Sequence, residues 1–211
     1  MLGRFAQAST RERVLELGAG CGVISIMIAS IYHPREVVAI EIQHDLAEMI
    51  ERNTAMNELK SVRAICADLR QKAIAGIEPA SFDLVIANPP YRAASSGREN
   101  PDRGRRLARG ESSATLDDFV RAARRYARNG ASVAFVFTAR RAAELISTMR
   151  ARKLEPKRLR FVHPRIDLPA SVVLIEARVG GGIEAAIEPP LILYDRPGIY
   201  TSEARAILSS L

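Results

Sequence analysis

Asp83-Leu84-Val85-Ile86-Ala87-Asn88-Pro89-Pro90-Tyr91 joins an apolar run to an amide, two prolines and an aromatic ring. Leu84, Val85 and Ile86 form a short, largely β-branched apolar run, the pattern of a strand buried on both faces. Pro89 and Pro90 have no N–H to give to a ladder, so the backbone must leave the sheet at Asn88. The Asn88 amide and the Tyr91 ring therefore stand at the carboxyl end of a buried strand. In open α/β sheets that edge is where ligands bind. A tight turn would account for the prolines, but not for an amide and an aromatic ring on either side of them.

Upstream of this stretch, strand and helix patterns alternate. Val14, Leu15 and Leu17 make a first strand, which runs into Glu16-Leu17-Gly18-Ala19-Gly20-Cys21-Gly22. Residues 23–31 read as an apolar helix broken by Pro34. Residues 37–40 are a second β-branched run with Glu41 at its end. Leu46, Met49, Ile50 and Met56 then recur at helical spacing within 44–59. Residues 62–66 form a third strand followed by Asp68, and the Asp83 run is the fourth. Downstream, Thr115 and Asp118 have capping-box spacing. They open a helix with Leu116, Phe119, Val120, Ala123 and Ala127 on one face, stopped by Gly130. Residues 132–137 are a fifth strand, and a helix over 140–153 turns Leu145, Ile146 and Met149 inward. Residues 159–162 and 171–177 make a final strand pair. The tail holds an apolar run at 191–194, a turn at Arg196-Pro197-Gly198 and a short helix over 202–208. The fold class expected is α/β. It is a twisted, mostly parallel seven-stranded sheet with helices on both faces and an antiparallel last strand pair, in a single domain over 1–211.

With 211 residues, 47% of them hydrophobic, the chain can bury one good core. No apolar run approaches the roughly 20 residues that a spanning helix needs. The first ten residues are too short and polar for an export signal. Cys21 and Cys66 have no C-x-x-C partner, which points to reduced thiols in a cytoplasmic protein. His33, His44 and His163 are isolated, so no metal site is expected. The net charge of +7 points to a polyanionic partner. Residues 92–114 hold Arg92, Arg98, Arg103, Arg105, Arg106 and Arg109 among Gly, Ser, Pro and Asn, with almost no apolar content. They read as a mobile basic loop, and their place directly after Pro90 and Tyr91 makes them candidate phosphate contacts on the substrate side.

The glycine turn differs in spacing from a dinucleotide fingerprint, G-x-G-x-x-G. Here an acid precedes the glycines, as E-x-G-x-G-x-G. A carboxylate there would repel a pyrophosphate and could receive an ammonium, directly or through water. The arrangement resembles the S-adenosylmethionine loop of Rossmann-like methyltransferases. That resemblance implies S-adenosylmethionine as cofactor, seated by Glu16, Gly18, Gly20 and Gly22. Glu41 would take the ribose hydroxyls, Asp68 the adenine amino group, and Leu69 the adenine ring.

With a methyl donor at this edge, a planar amine is the acceptor that Asn88 suits. The Asn88 side-chain oxygen and the Pro89 carbonyl can accept its two N–H bonds, and Tyr91 can stack on its ring. Asn88-Pro89-Pro90-Tyr91 after a fourth strand resembles the motif of amino methyltransferases acting on adenine N6, cytosine N4 or glutamine N5. Within them, the chain is similar to the bacterial adenine-N6 methyltransferases of valine tRNA, which modify the adenosine beside the anticodon. Residues 157–164, 171–178 and 189–203 carry that likeness through the carboxyl half, and the 179–211 tail is its most discriminating part. The resemblance implies Asn88, Pro89 and Tyr91 as catalytic residues and tRNA as partner. One departure stands: that family has further residues before the first strand, including an aromatic and acidic segment. This chain opens at Met1-Leu2-Gly3-Arg4-Phe5, near the end of that region. The expectation is a translation start further upstream or a pocket without part of its wall. The rival readings are glutamine-N5 methylation of a release factor, and a cofactor- or RNA-binding module without catalysis.

Overall fold

The computed structural model describes residues 1–90 and 114–208. Seven strands carry the architecture: β1 (Arg13–Leu17), β2 (Glu36–Glu41), β3 (Val62–Cys66), β4 (Phe82–Ala87), β5 (Ala127–Thr138), β6 (Leu154–His163) and β7 (Val172–Val179). They lie in the order β3-β2-β1-β4-β5-β7-β6. The first five are mutually parallel, and β7 runs antiparallel to both β5 and β6. Two-residue strands β8 (Ala186–Ile187) and β9 (Leu191–Ile192) extend the outer edge of β6, making this a nine-stranded sheet among the described residues. A separate hairpin joins β10 (Tyr194–Arg196) to β11 (Ile199–Tyr200). The predicted sheet and its antiparallel pair are present, with this edge added.

Residue chemistry explains the layers. Val37, Val38, Ala39 and Ile40 alternate between the two faces of β2 and are all buried, as are Leu84 to Ala87 in β4. A strand covered on both faces carries such a continuous apolar run. On one face lie α1 (Leu2–Ala6), α2 (Val23–Tyr32) and α6 (Ser202–Leu208), where Phe5, Met27 and Ile28 pack with Val14, Ile86 and Leu174. Ile50 of α3 (His44–Met56) meets Ala39 on this same face. On the other lie α4 (Leu116–Tyr126) and α5 (Ala142–Ala151), where Phe119, Tyr126 and Leu145 pack with Leu15, Val85 and Phe135. Residues 67–81 cross this second face without a helix and contribute Leu69, Ile74 and Ile77 to its core.

The capping box is formed in full. Thr115 accepts from the Asp118 backbone N–H, and Asp118 accepts from that of Thr115. The helix it opens ends at Tyr126, earlier than the expected stop at Gly130. Ala127 already pairs with Phe82 in the ladder, and the Arg128 guanidinium is paired with Asp83. The register shifts between Phe82 and Leu84, and Gly130 takes φ +73° in the bulged stretch of β5. Sheet pairing thus takes over a segment whose local pattern continues the helix. In α3 the inward positions are Ala47, Ile50 and Thr54, while Met49 and Met56 face solvent, Met56 at 82% exposure. Ile50 packs on Ala19, Ala39 and Ala64, small residues that bring the helix close. Cys21 and Cys66 are free thiols, and no described helix is long and apolar enough to cross a membrane.

Candidate cofactor and substrate site

Parallel register aligns the carboxyl ends of four strands. Leu17 pairs with Ile40 on one side and Ala87 on the other, and Glu41 pairs with Cys66. Asp68, Glu41, Gly18 and Asn88 therefore follow one another along a single edge of the sheet. Asn88 and Pro90 are exposed there, and Pro89 is buried. Tyr91 and the six candidate arginines from Arg92 to Arg109 lie outside the described residues.

The turn between β1 and α2 is tightly held. Gly18, Gly20 and Gly22 take φ of 68°, 57° and 84°, a region that side-chain-bearing residues rarely adopt. A Cβ at Gly18 would lie 3.0 Å from the Phe119 ring, and one at Gly22 3.0 Å from Ile50 Cγ2. At Gly20 a Cβ would meet nothing within 4 Å, so the turn faces open space at that residue alone. The Gly20 N–H donates to Glu41 Oε2 at 2.9 Å, and the Gln43 N–H donates to Oε1 at 3.0 Å. Glu41, 5% exposed, thus fastens the glycine turn to the end of β2. Each of its oxygens keeps acceptor capacity for a hydroxyl.

Glu16 is 2% exposed and faces the start of α2. Its Oε2 accepts the Ser25 N–H at 2.9 Å and the Ser25 hydroxyl. Burial pushes this carboxyl up to about 7, against the pull of both Ser25 bonds. With Oε2 engaged, an ammonium has Oε1 left to meet. Asp68 is also engaged, accepting from Arg70 N, Nε and Nη2 at 2.9, 2.9 and 2.6 Å. The Arg70 guanidinium holds its carboxyl below the usual range. Leu69 is buried in the core of the α4 face. Among the described residues no group of three or more His, Cys, Asp or Glu is placed to hold a metal ion.

A family model described as the methyltransferase small domain matches residues 1–151. The chain belongs to the methyltransferase small-domain family. A tRNA1(Val) (adenine(37)-N6)-methyltransferase of Parabacteroides distasonis is 30% identical over 179 residues, covering 83% of this chain and 73% of its own. The protein of the same name from Aeromonas hydrophila is 26% identical over 203 residues, covering 95% of this chain and 82% of its own. Among solved structures, a protein of Agrobacterium tumefaciens described as a predicted O-methyltransferase superposes with a TM-score of 0.79 at 22% identity. That match covers 99% of this chain and 94% of the other. A geranyl diphosphate C-methyltransferase from Streptomyces coelicolor, solved with S-adenosyl-L-homocysteine, gives a TM-score of 0.60 at 13% identity, over 84% and 79% of the two chains. These two share the fold.

The methyltransferase small domain of this chain holds three contributors with no distinctive sequence signal. Phe119 covers Gly18, but in sequence it is one more apolar position on a helix face. Ser25 and Arg70 engage Glu16 and Asp68, and each comes within nine residues of its acid. Their proximity in the chain was the available signal, although polar residues near strand ends are too common for spacing alone to select them.

Proposed function

We propose that this chain transfers the methyl group of S-adenosylmethionine to N6 of an adenine in tRNA, as a cytoplasmic enzyme. The observation that carries the reading is the place of Asn88-Pro89 at the end of β4, one strand from the glycine turn at the end of β1. The names of the Parabacteroides and Aeromonas relatives support adenine N6 and tRNA as the target. The residues present fit the cofactor: an open face at Gly20, an acid at the end of β2 and a second acid after β3. Bound there, S-adenosylmethionine supplies an electrophilic methyl group on a sulfonium.

The chain's own residues supply the positioning. Gly18, Gly20 and Gly22 let the backbone approach the cofactor, Glu16 and Ser25 hold that turn to α2, and Glu41 receives ribose hydroxyls. Asp68 reaches the adenine amino group once the Arg70 fork opens. On the substrate side, the Asn88 side-chain oxygen and the Pro89 carbonyl accept the two N–H bonds of the target amine. The lone pair of an exocyclic amine is delocalised into its ring. Two acceptors favour its return to nitrogen and hold it in line. Tyr91 stacks on the base, and the arginines of 92–109 take flanking phosphates. The methylated nitrogen is acidic and loses its proton after transfer, so no separate base is needed beforehand.

Asn88→Ala tests the reading. It removes an acceptor used on the way to the transition state, so kcat should fall by about 100-fold or more. The dissociation constant for S-adenosylmethionine should stay within about twofold, because Asn88 lies on the acceptor side. Labelled methyl transfer to unmodified bulk tRNA, with release factor and duplex DNA as parallel acceptors, reads both substrate and rate. Label recovered as N6-methyladenosine in tRNA supports the assignment. Label in protein alone would replace it by glutamine-N5 methylation.

A further inference from the structure

Beyond the glycine turn and Asn88, the same sheet edge carries a second feature at its far end. Leu193 donates its N–H to His163 O at 2.9 Å and Tyr194 to Pro164 O at 2.9 Å, so the chain runs on past the carboxyl end of β6. It then folds into the β10–β11 hairpin, turned at Pro197-Gly198 with Gly198 at φ +78°. Tyr194 and Tyr200 face each other directly across that hairpin. Their rings are stacked with centroids 4.7 Å apart and planes 23° apart, and their hydroxyls are 3.3 Å apart.

A cross-strand aromatic pair steadies a hairpin, and hairpin stability alone would explain two tyrosines turned against a core. This pair belongs to neither of the two large apolar clusters. Tyr200 is 38% exposed, and its neighbour Ile199 is 49% exposed. A flat aromatic surface is thus held out into solvent on a two-stranded ribbon, which water alone would not favour. Cationic groups border it. Arg196 sits exposed at the turn and pairs with no described carboxylate, and Arg205 Nη2 donates to Tyr200 O at 3.2 Å. Asp195 is the one acid within the hairpin.

We infer that the Tyr194–Tyr200 pair is a stacking platform for an unpaired base of the RNA substrate, with Arg196 on an adjoining phosphate. The inference rests on the tRNA reading above and adds a second contact for the same molecule. Aromatic faces bordered by arginine suit single-stranded nucleic acid, because every base presents a π face beside a phosphate. From β4 the platform lies four strand spacings away, roughly 19 Å at about 4.8 Å each. That is about five or six stacked nucleotides at roughly 3.4 Å per step. The base on the platform is therefore not the methylated one, and the pair acts on affinity and register rather than on the transfer step.

The test is steady-state methylation of unmodified tRNA by the whole chain carrying Tyr200→Leu, Tyr200→Phe or Arg196→Gln, with wild type alongside. Tyr200→Leu should raise KM for tRNA about tenfold. Tyr200→Phe, which keeps the ring, should restore KM to within about twofold of wild type. Arg196→Gln should make the fall of log affinity with log salt shallower by about one unit. Thermal midpoints of all three report folding independently of RNA. A wild type that methylates tRNA while Tyr200→Leu and Arg196→Gln leave KM and salt slope unchanged overturns the platform alone. A wild type that neither binds nor methylates tRNA overturns the tRNA reading, and the platform with it.

Discussion

Glu16 gives the folded chain a pH response below neutrality. Its group titrates at about 7 in the fold against an ordinary value of 4.5, because burial disfavours the charged form. Between those values the folded state binds more protons than the unfolded one, so stability falls as pH rises from about 4.5 to about 7 and stays level above. At about 1.4 kcal/mol per unit, that loss is on the order of 3 kcal/mol. Glu16→Gln keeps an acceptor for Ser25 and has no proton to lose. Urea unfolding at about pH 5 and about pH 8 should therefore show a much smaller loss of stability with rising pH in the variant than in wild type. A loss that survives the substitution undiminished would assign the pH response to another group. Tyr126 presents the opposite case, a fully buried ring whose hydroxyl has no hydrogen-bond partner among the described residues. Tyr126→Phe removes that unsatisfied group without opening a cavity, so stability should rise by about 1 kcal/mol. A lower midpoint in thermal unfolding would show that the hydroxyl has a stabilising partner.

At the scale of elements, α4 links folding to the cofactor site. Its capping box sets the first turn, and that turn carries Phe119 onto Gly18. Thr115→Ala should cost about 1 kcal/mol in denaturant unfolding. It should also weaken S-adenosylmethionine binding severalfold in calorimetry, because the fraying turn releases Phe119. Loss of stability with unchanged affinity would uncouple the two. This helix also shows what the sequence made legible. Its start is a local signal, three residues of side-chain-to-backbone bonding, and it was readable. Its end is set by Ala127 pairing with Phe82 some 45 residues away, and no window of the helix contains that information. The strands buried on both faces were legible because burial on two sides leaves a continuous apolar run. Helix α1 has five residues and no side-chain cap bond, so it left no pattern to read. The acids and glycines of the site were legible because strand order places them on one edge. The Arg70 fork on Asp68 was not, because it depends on how two flexible side chains settle.

Across the whole molecule, many arginines are matched by ion pairs, while one stretch of sequence concentrates six of them. Arg13 and Arg63 both pair with Glu36, Arg158 with Glu176 and Glu188, Arg152 with Asp117, and Arg160 with Glu203. Such pairs link strands and helices to one another and reduce the field that each paired arginine presents to a distant polyanion. Residues 92–113 carry six arginines against three acids, a substantial share of the net +7. If these arginines hold phosphates beside the target base, they set the salt dependence of tRNA binding. Each phosphate contact contributes about 0.7–0.9 to the slope of log affinity against log salt. Replacing Arg92, Arg98, Arg103, Arg105, Arg106 and Arg109 together by glutamine should flatten that slope by about three units or more. Affinity at low salt should fall steeply, while affinity for S-adenosylmethionine and the thermal midpoint stay near wild type. Equilibrium tRNA binding measured over a salt series reads the slope directly. A slope that does not change would place the phosphate contacts elsewhere in the chain, with Arg124, Arg140 and Arg196 as the next arginines to replace.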